Sequence, residues 1–198
     1  MLDRTAYYIK EHVGFLKLSD TYDILDPETQ QQIGIAKEKP STLVIILRFL
    51  INKKLLPTQV FVYEGSDPEN QANLLFSIRR GVGFLRTRVD ILDENGQVVG
   101  FLKTKLISLG GAFTVYDAGG AEVATVKGDW KGRNFRFLDT NQNEIGKIAQ
   151  QWAGFAKEMF TSADKYIISL NETPTPGKAI LLLAAGLAVD TVLKETGE

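Results

Sequence analysis

No cysteine occurs in the 198 residues, only one histidine is present, and neither sign of charge is in excess, the net value being −1. Without thiols there are no disulfides, thiolate nucleophiles, zinc–cysteine sites or S-palmitoylation. The same absence fits a reducing compartment, so a cytoplasmic protein is expected. A near-neutral chain has no global field to attract nucleic acid, and any anion site must be a local patch. Long apolar runs are also missing: Ala179 to Val189 is eleven residues before Asp190 interrupts, against about 20 for a bilayer span. Met1 to Phe15 mixes Asp3, Lys10 and Glu11 with apolar residues, so no secretory signal is expected. His12 has no cysteine near it and reads as a surface residue rather than a metal ligand or general base.

What remains is an ordinary globular balance, 44% hydrophobic and 24% charged. The length suits one domain over residues 1–198, burying roughly 70% of the unfolded surface. One phrase recurs along it: β-formers, an Asp, a turn, then an apolar residue and a small one. It runs from Tyr22–Asp26 to Ile33-Gly34, from Val89–Asp93 to Val99-Gly100, from Phe113–Asp117 to Val123-Ala124, and from Phe135–Asp139 to Ile145-Gly146. Asp-to-small spacing is eight in the first copy and seven in the others. Each copy reads as a strand, a tight turn and an antiparallel return, with Asp bonding the turn amides and Gly96, Gly119 and Gly120 tolerating positive φ. These shared positions make Asp26, Asp93, Asp117 and Asp139 turn caps rather than one carboxylate set. A looser copy spans Val60–Tyr63 and Leu75–Arg79, and residues 155–170 offer a sixth pair. Gly81-Val-Gly83 reads as a bend between hairpins. Ten to twelve tandem strands must hide their edges, which predicts a closed barrel or a sandwich.

Two segments break the rhythm. Residues 41–56, between Pro40 and Pro57, predict a short helix in which Arg48 and Asn52 form one polar stripe. It either covers an open barrel end or faces a membrane with Lys53 and Lys54 at the headgroups. Residues 177–195 predict a second helix, apolar on every side, which requires apolar surroundings on every side. A barrel interior supplies these, and Ala184, Ala185, Gly186 and Ala188 suit a narrow one. A membrane anchor is the alternative.

Ile145-Gly-Lys-Ile148, Trp152-Ala-Gly154, Glu158, Phe160-Thr-Ser-Ala-Asp164 and the helix ending in Val189-Asp190 and Glu195 resemble the C-terminal part of phospholipid scramblases. The resemblance is specific over residues 140–196; over residues 20–140 it is a shared hairpin rhythm. With the related LURP-one-related and tubby C-terminal domains, it implies a twelve-stranded antiparallel β-barrel around a central hydrophobic helix. Scramblases continue the Phe-Thr…Ala-Asp element with further acids as a proposed calcium site. Here Asp164 stands beside Lys165, whereas calcium takes six to eight oxygen ligands. Asp164 is the sole calcium candidate and no metal is expected. The cysteine-rich acylation segment and proline-rich N-terminal tail of animal scramblases have no counterpart.

One basic patch stands out. Val89 and Ile91 opposite Leu102 and Gly100 set a register that points those residues inward and places Arg86 and Arg88 beside Lys103 and Lys105 on the outer face. Like charges opposed on a ladder destabilise it, so four clustered cations invite an anion, unless Asp90 and Glu94 balance them. Tubby domains are similar in using strand-borne Lys-x-Arg cations for phosphoinositides. Arg79-Arg80 and Lys131 with Arg133 are lesser candidates. No nucleophile, base and oxyanion donor converge, so a non-catalytic module without cofactor is expected. It would bind an anionic phospholipid surface peripherally through Arg86, Arg88, Lys103, Lys105, Lys53 and Lys54. A soluble protein-binding scaffold is the alternative, and nucleic acid is disfavoured.

Overall fold

In the computed structural model, which describes residues 1–12, 19–50, 56–81, 88–104, 112–129, 134–149 and 165–189, the hairpins join into a closed antiparallel barrel rather than a sandwich. Its strands are β1 (Ala6–Glu11), β2 (Thr21–Leu25), β3 (Gln32–Glu38), β4 (Thr58–Glu64), β5 (Leu74–Arg80), β6 (Arg88–Asp93), β7 (Val98–Thr104), β8 (Ala112–Asp117), β9 (Glu122–Asp129), β10 (Asn134–Leu138), β11 (Glu144–Ala149) and β12 (Lys165–Leu170). Each pairs with its neighbours in sequence, and β1 pairs with β12 to close the ring. Of the pair expected over residues 155–170, β12 is the described part and lies between β11 and β1, whereas 155–164 fall outside the described residues.

The repeated phrase is a hairpin with a β-bulge. Gly96, Gly120, Gln142 and Gln30 hold the positive-φ position of their turns, at 77°, 85°, 67° and 58°. The turn carboxylates do the capping: Asn95 and Gln97 backbone N–H groups donate to Asp93 Oδ1 at 2.9 and 2.8 Å, and Asn141 and Asn143 to Asp139 Oδ1 at 2.8 Å each. Asp117 takes the Ala121 N–H and Asp26 the Glu28 and Thr29 N–H groups. Behind each turn the register slips by one residue, between Ile24 and Leu25, Ile91 and Leu92, Val115 and Tyr116, and Phe137 and Leu138. The slip leaves Ile33, Val99, Val123 and Ile145 as the extra residues, half-buried against the core. The small residue after each bulge also has a cause. A Cβ at Gly100 would stand 2.5 Å from the Tyr116 carbonyl oxygen on β8.

Two of these turns, those of Asp139 and Asp26, are expected to make the chain acid-sensitive. Asp139 is held below its ordinary value of 3.8, first by the Asn143 backbone N–H, and Asp26 is lowered first by the Thr29 N–H. A carboxyl that binds its proton more weakly when folded stabilises fully above the unfolded value. That contribution disappears as pH falls through the lowered one. Asp139→Ala should accordingly flatten the fall of melting temperature between about pH 4 and pH 2. An unchanged acid slope in the variant would show that this turn is not linked to stability.

Helix α2 (Pro176–Ala188) fills the barrel. Pro176 starts it, its missing N–H being one the first turn leaves unpaired anyway. Residues 181–188 are buried without a break, over more than two turns, so the helix has no solvent side. It packs most against β5, β7, β8 and β9. The described helix is shorter than the expected 177–195, since residues 190–198 lie outside the description. Inward residues such as Ile9, Ile24, Phe76, Ile91, Phe113 and Phe137 share one core with it, each less than 1% exposed. Outward positions carry Lys10, Asp23, Lys37, Arg79, Lys127 and Lys147, the reverse of a bilayer-spanning barrel's apolar-out pattern. Among the described residues no helix is long and apolar enough to cross a membrane.

Candidate functional site

Between β3 and β4 the chain leaves the barrel wall as helix α1 (Thr42–Leu47), capped by Ser41 Oγ, which accepts the Val44 N–H at 3.4 Å. A turn carries it on through Leu50. The expected helix over 42–56 is thus shorter here, and Lys53 and Lys54 lie outside the described residues. α1 sits over the barrel end where β3 and β5 finish and β4 begins. Glu38, Thr58 and Arg80, the inward positions of those strands at that end, are 1%, 4% and 5% exposed. Arg80 donates to the Leu56 carbonyl and to Thr58 Oγ1, both at 3.4 Å.

The orientation of α1 is the reverse of a surface helix. The single charged side chain of the helix and its following turn, Arg48 at the C-cap, turns inward and forms an ion pair with Glu38. Val44, one turn earlier, is its only fully buried residue. Leu43, Ile46, Phe49 and Leu50 stand in solvent at 65%, 54%, 77% and 78% exposure. Scattered exposed leucines are normal on any protein, but a cluster of four large apolar groups marks an interaction surface.

Beside α1 the outer face of the sheet is basic. A cleft of about 460 Å³ bounded by Ser41 and Val44 on one side and Gln59 and Arg79 on the other joins the two surfaces. Arg79 stands opposite Asp90 on β6, and Arg88 stands directly opposite Lys103 on β7. Val89 faces Leu102 and Ile91 faces Gly100, the register read from the sequence. Asp90 is shared, accepting from Arg88 Nε at 2.7 Å and lying 3.5 Å from Arg79 Nη2. Lys103 has no carboxylate partner among the described residues. It lies 5.3 and 5.5 Å from the ring centres of Phe101 and Tyr116, which stack at 5.0 Å, and Arg88 lies 4.0 Å over Phe101. The aromatic pair offsets the repulsion of two opposed cations through the negative faces of the rings. Three cations against one carboxylate leave this face positive.

Arg86, Lys105, Lys131 and Arg133 lie outside the described residues, so the four-cation patch is represented by Arg88 and Lys103. Arg79 and Arg80, adjacent in sequence, separate: Arg79 joins the basic face and Arg80 points into the barrel end. The sequence reading missed Glu38. Strand parity was the available signal, since Gly34 and Ala36 point inward and Glu38 follows two residues on. His12 Nε2 lies 2.8 Å from Asp23 Oδ2, half-exposed outside the barrel. Among the described residues no group of three or more histidine or acidic side chains could hold a metal ion; Asp164 lies outside them.

A family model described as Scramblase matches residues 19–195 of the chain, which covers both helices and eleven of the twelve strands. No curated protein matches it.

Proposed function

Because this chain belongs to the scramblase family, we propose that it is a non-catalytic module that docks peripherally on anionic phospholipid, with α1 as its apolar contact and the β5–β7 face as its basic one. The observation that carries this reading is the inverted helix: Leu43, Ile46, Phe49 and Leu50 face solvent while the only charge on α1 is turned inward. An apolar cluster flanked by cations matches a lipid surface, whose acyl layer lies beneath anionic headgroups. Movement of lipid between leaflets is not part of the proposal, since α2 is enclosed by the barrel wall and offers no surface to a bilayer.

The test is co-sedimentation with phosphatidylcholine vesicles and with vesicles containing phosphatidylserine, at low and moderate salt, with and without calcium. Binding should require the anionic lipid and weaken with salt. Each cation near such a surface contributes about 1 kcal/mol. Arg88→Glu with Lys103→Glu should therefore weaken binding by about 30-fold or more. Equal sedimentation of the doubly reversed variant would remove the basic face from the proposal. No sedimentation of the parent chain with either vesicle would point to a protein occupant instead.

A further inference from the structure

The inversion of α1 has an identifiable cause. Over residues 42–50 the helix and its following turn contain one charge and eight uncharged residues, seven of them apolar. At a free surface such a segment would settle with Arg48 in water and its leucines, isoleucines and phenylalanine on the barrel, because exposing apolar area is unfavourable in proportion to that area. Something must oppose this, and the barrel end supplies it. Glu38 is 1% exposed, points inward from the end of β3, and accepts the Asp20 backbone N–H at 3.3 Å. A buried carboxylate without a cation is strongly disfavoured, and Arg48 is the only cation that α1 carries. Its side chain is accordingly 10% exposed. Val44 and Arg48, one helical turn apart, become the contact stripe, with Ile45 and Leu47 half-buried beside it and Leu43, Ile46, Phe49 and Leu50 left in solvent.

We propose that the buried Glu38–Arg48 ion pair is a latch that holds the apolar face of α1 outward, and that Glu38 and Arg48 are positioning residues for docking although neither would touch lipid. The first half concerns the protein alone. The second rests on the lipid reading above. Replacing both partners with uncharged groups of similar volume removes the ion pair without leaving either of its two members unpaired, and Arg80 keeps its bonds to the Leu56 carbonyl and Thr58 Oγ1. α1 is then free to roll its apolar side onto the barrel.

The absence of cysteine makes the test direct, since Phe49→Cys creates a single labelling site for an environment-sensitive fluorophore. Without vesicles, the label on the otherwise unchanged chain should emit as in water and be readily quenched by acrylamide. In Glu38→Gln/Arg48→Met it should shift blue, with its quenching constant about threefold lower, while far-UV circular dichroism is retained. Arg48→Lys should keep the label exposed, as should the swapped pair Glu38→Arg/Arg48→Glu. An equally exposed label in Glu38→Gln/Arg48→Met would overturn the latch whatever the lipid result. Should the double variant fail to fold, an unchanged label in Glu38→Gln alone would overturn it equally. With Phe49 retained and no label, the double variant should bind phosphatidylserine vesicles at least tenfold more weakly than the unchanged pair. A protected label without vesicles, combined with no vesicle binding by any variant, would keep the latch and reject the lipid reading.

Discussion

Leu183→Asp is expected to leave a chain with no cooperative unfolding transition in urea. Leu183 is 1% exposed in the middle of α2, and its neighbours on either side, Leu182 and Ala184, are equally enclosed. Losing its burial removes about 2–3 kcal/mol. An unpartnered carboxyl in its place adds roughly 1–3 kcal/mol, since nothing in the apolar interior can bond it. The sum, on the order of 5 kcal/mol, approaches the whole stability of an ordinary domain. Because α2 has no solvent side, the helix cannot rotate the aspartate outward. Near-UV circular dichroism and a urea titration would decide the point. A sigmoidal transition with a normal slope would mean that the barrel stands without the filling this structure gives it.

The second large effect is expected at the surface. Phe49→Asp with Leu50→Asp should weaken binding to phosphatidylserine vesicles by about a thousandfold. The estimate takes about 4 kcal/mol for two large apolar side chains no longer buried in lipid, before any repulsion from the added charges. The melting temperature should hardly move, because both residues are more than three-quarters exposed and contribute little to the fold. That separation gives the experiment its force. Vesicle binding retained in the double variant would eliminate α1 as the membrane contact, and a large loss of melting temperature would show that these residues pack inside the protein.

Much of the barrel could be read from residues, because hairpins are local. Asp93, Gly96 and Val99-Gly100 specify a cap, a positive-φ position, a bulge and a close approach within eight residues. The same arithmetic placed Arg88 opposite Lys103. The enclosed helix was legible for a different reason: residues 181–188 have no polar side, and a barrel interior hides all of them, although a membrane anchor was the other reading that this pattern allowed. What could not be read depends on contacts between separate elements of the fold. The polar stripe of α1 reads from sequence as an ordinary solvent side, and only Glu38 at the end of β3 shows why Arg48 faces the other way. Likewise Asp90 couples Arg79 of β5 to Arg88 two residues before it on β6, a link set by the pairing of two strands. The split of Arg79 from Arg80 was legible by parity alone, since Phe76 and Ile78 point inward.

The closure of the ring has a consequence for how the protein is made. Every pairing but one joins strands that follow each other in the chain, and the exception joins β1 to β12. A ribosome delivers β1 first, yet that strand lacks its second partner until residues 165–170 have emerged. The hydrophobic lumen stays empty for longer still, until α2 follows. Until then the barrel's strands form an open sheet with two bare edges and an unfilled apolar face, the kind of species that aggregates or recruits chaperones. The native state is completed from the two ends of the ring at once, after translation has passed Val189.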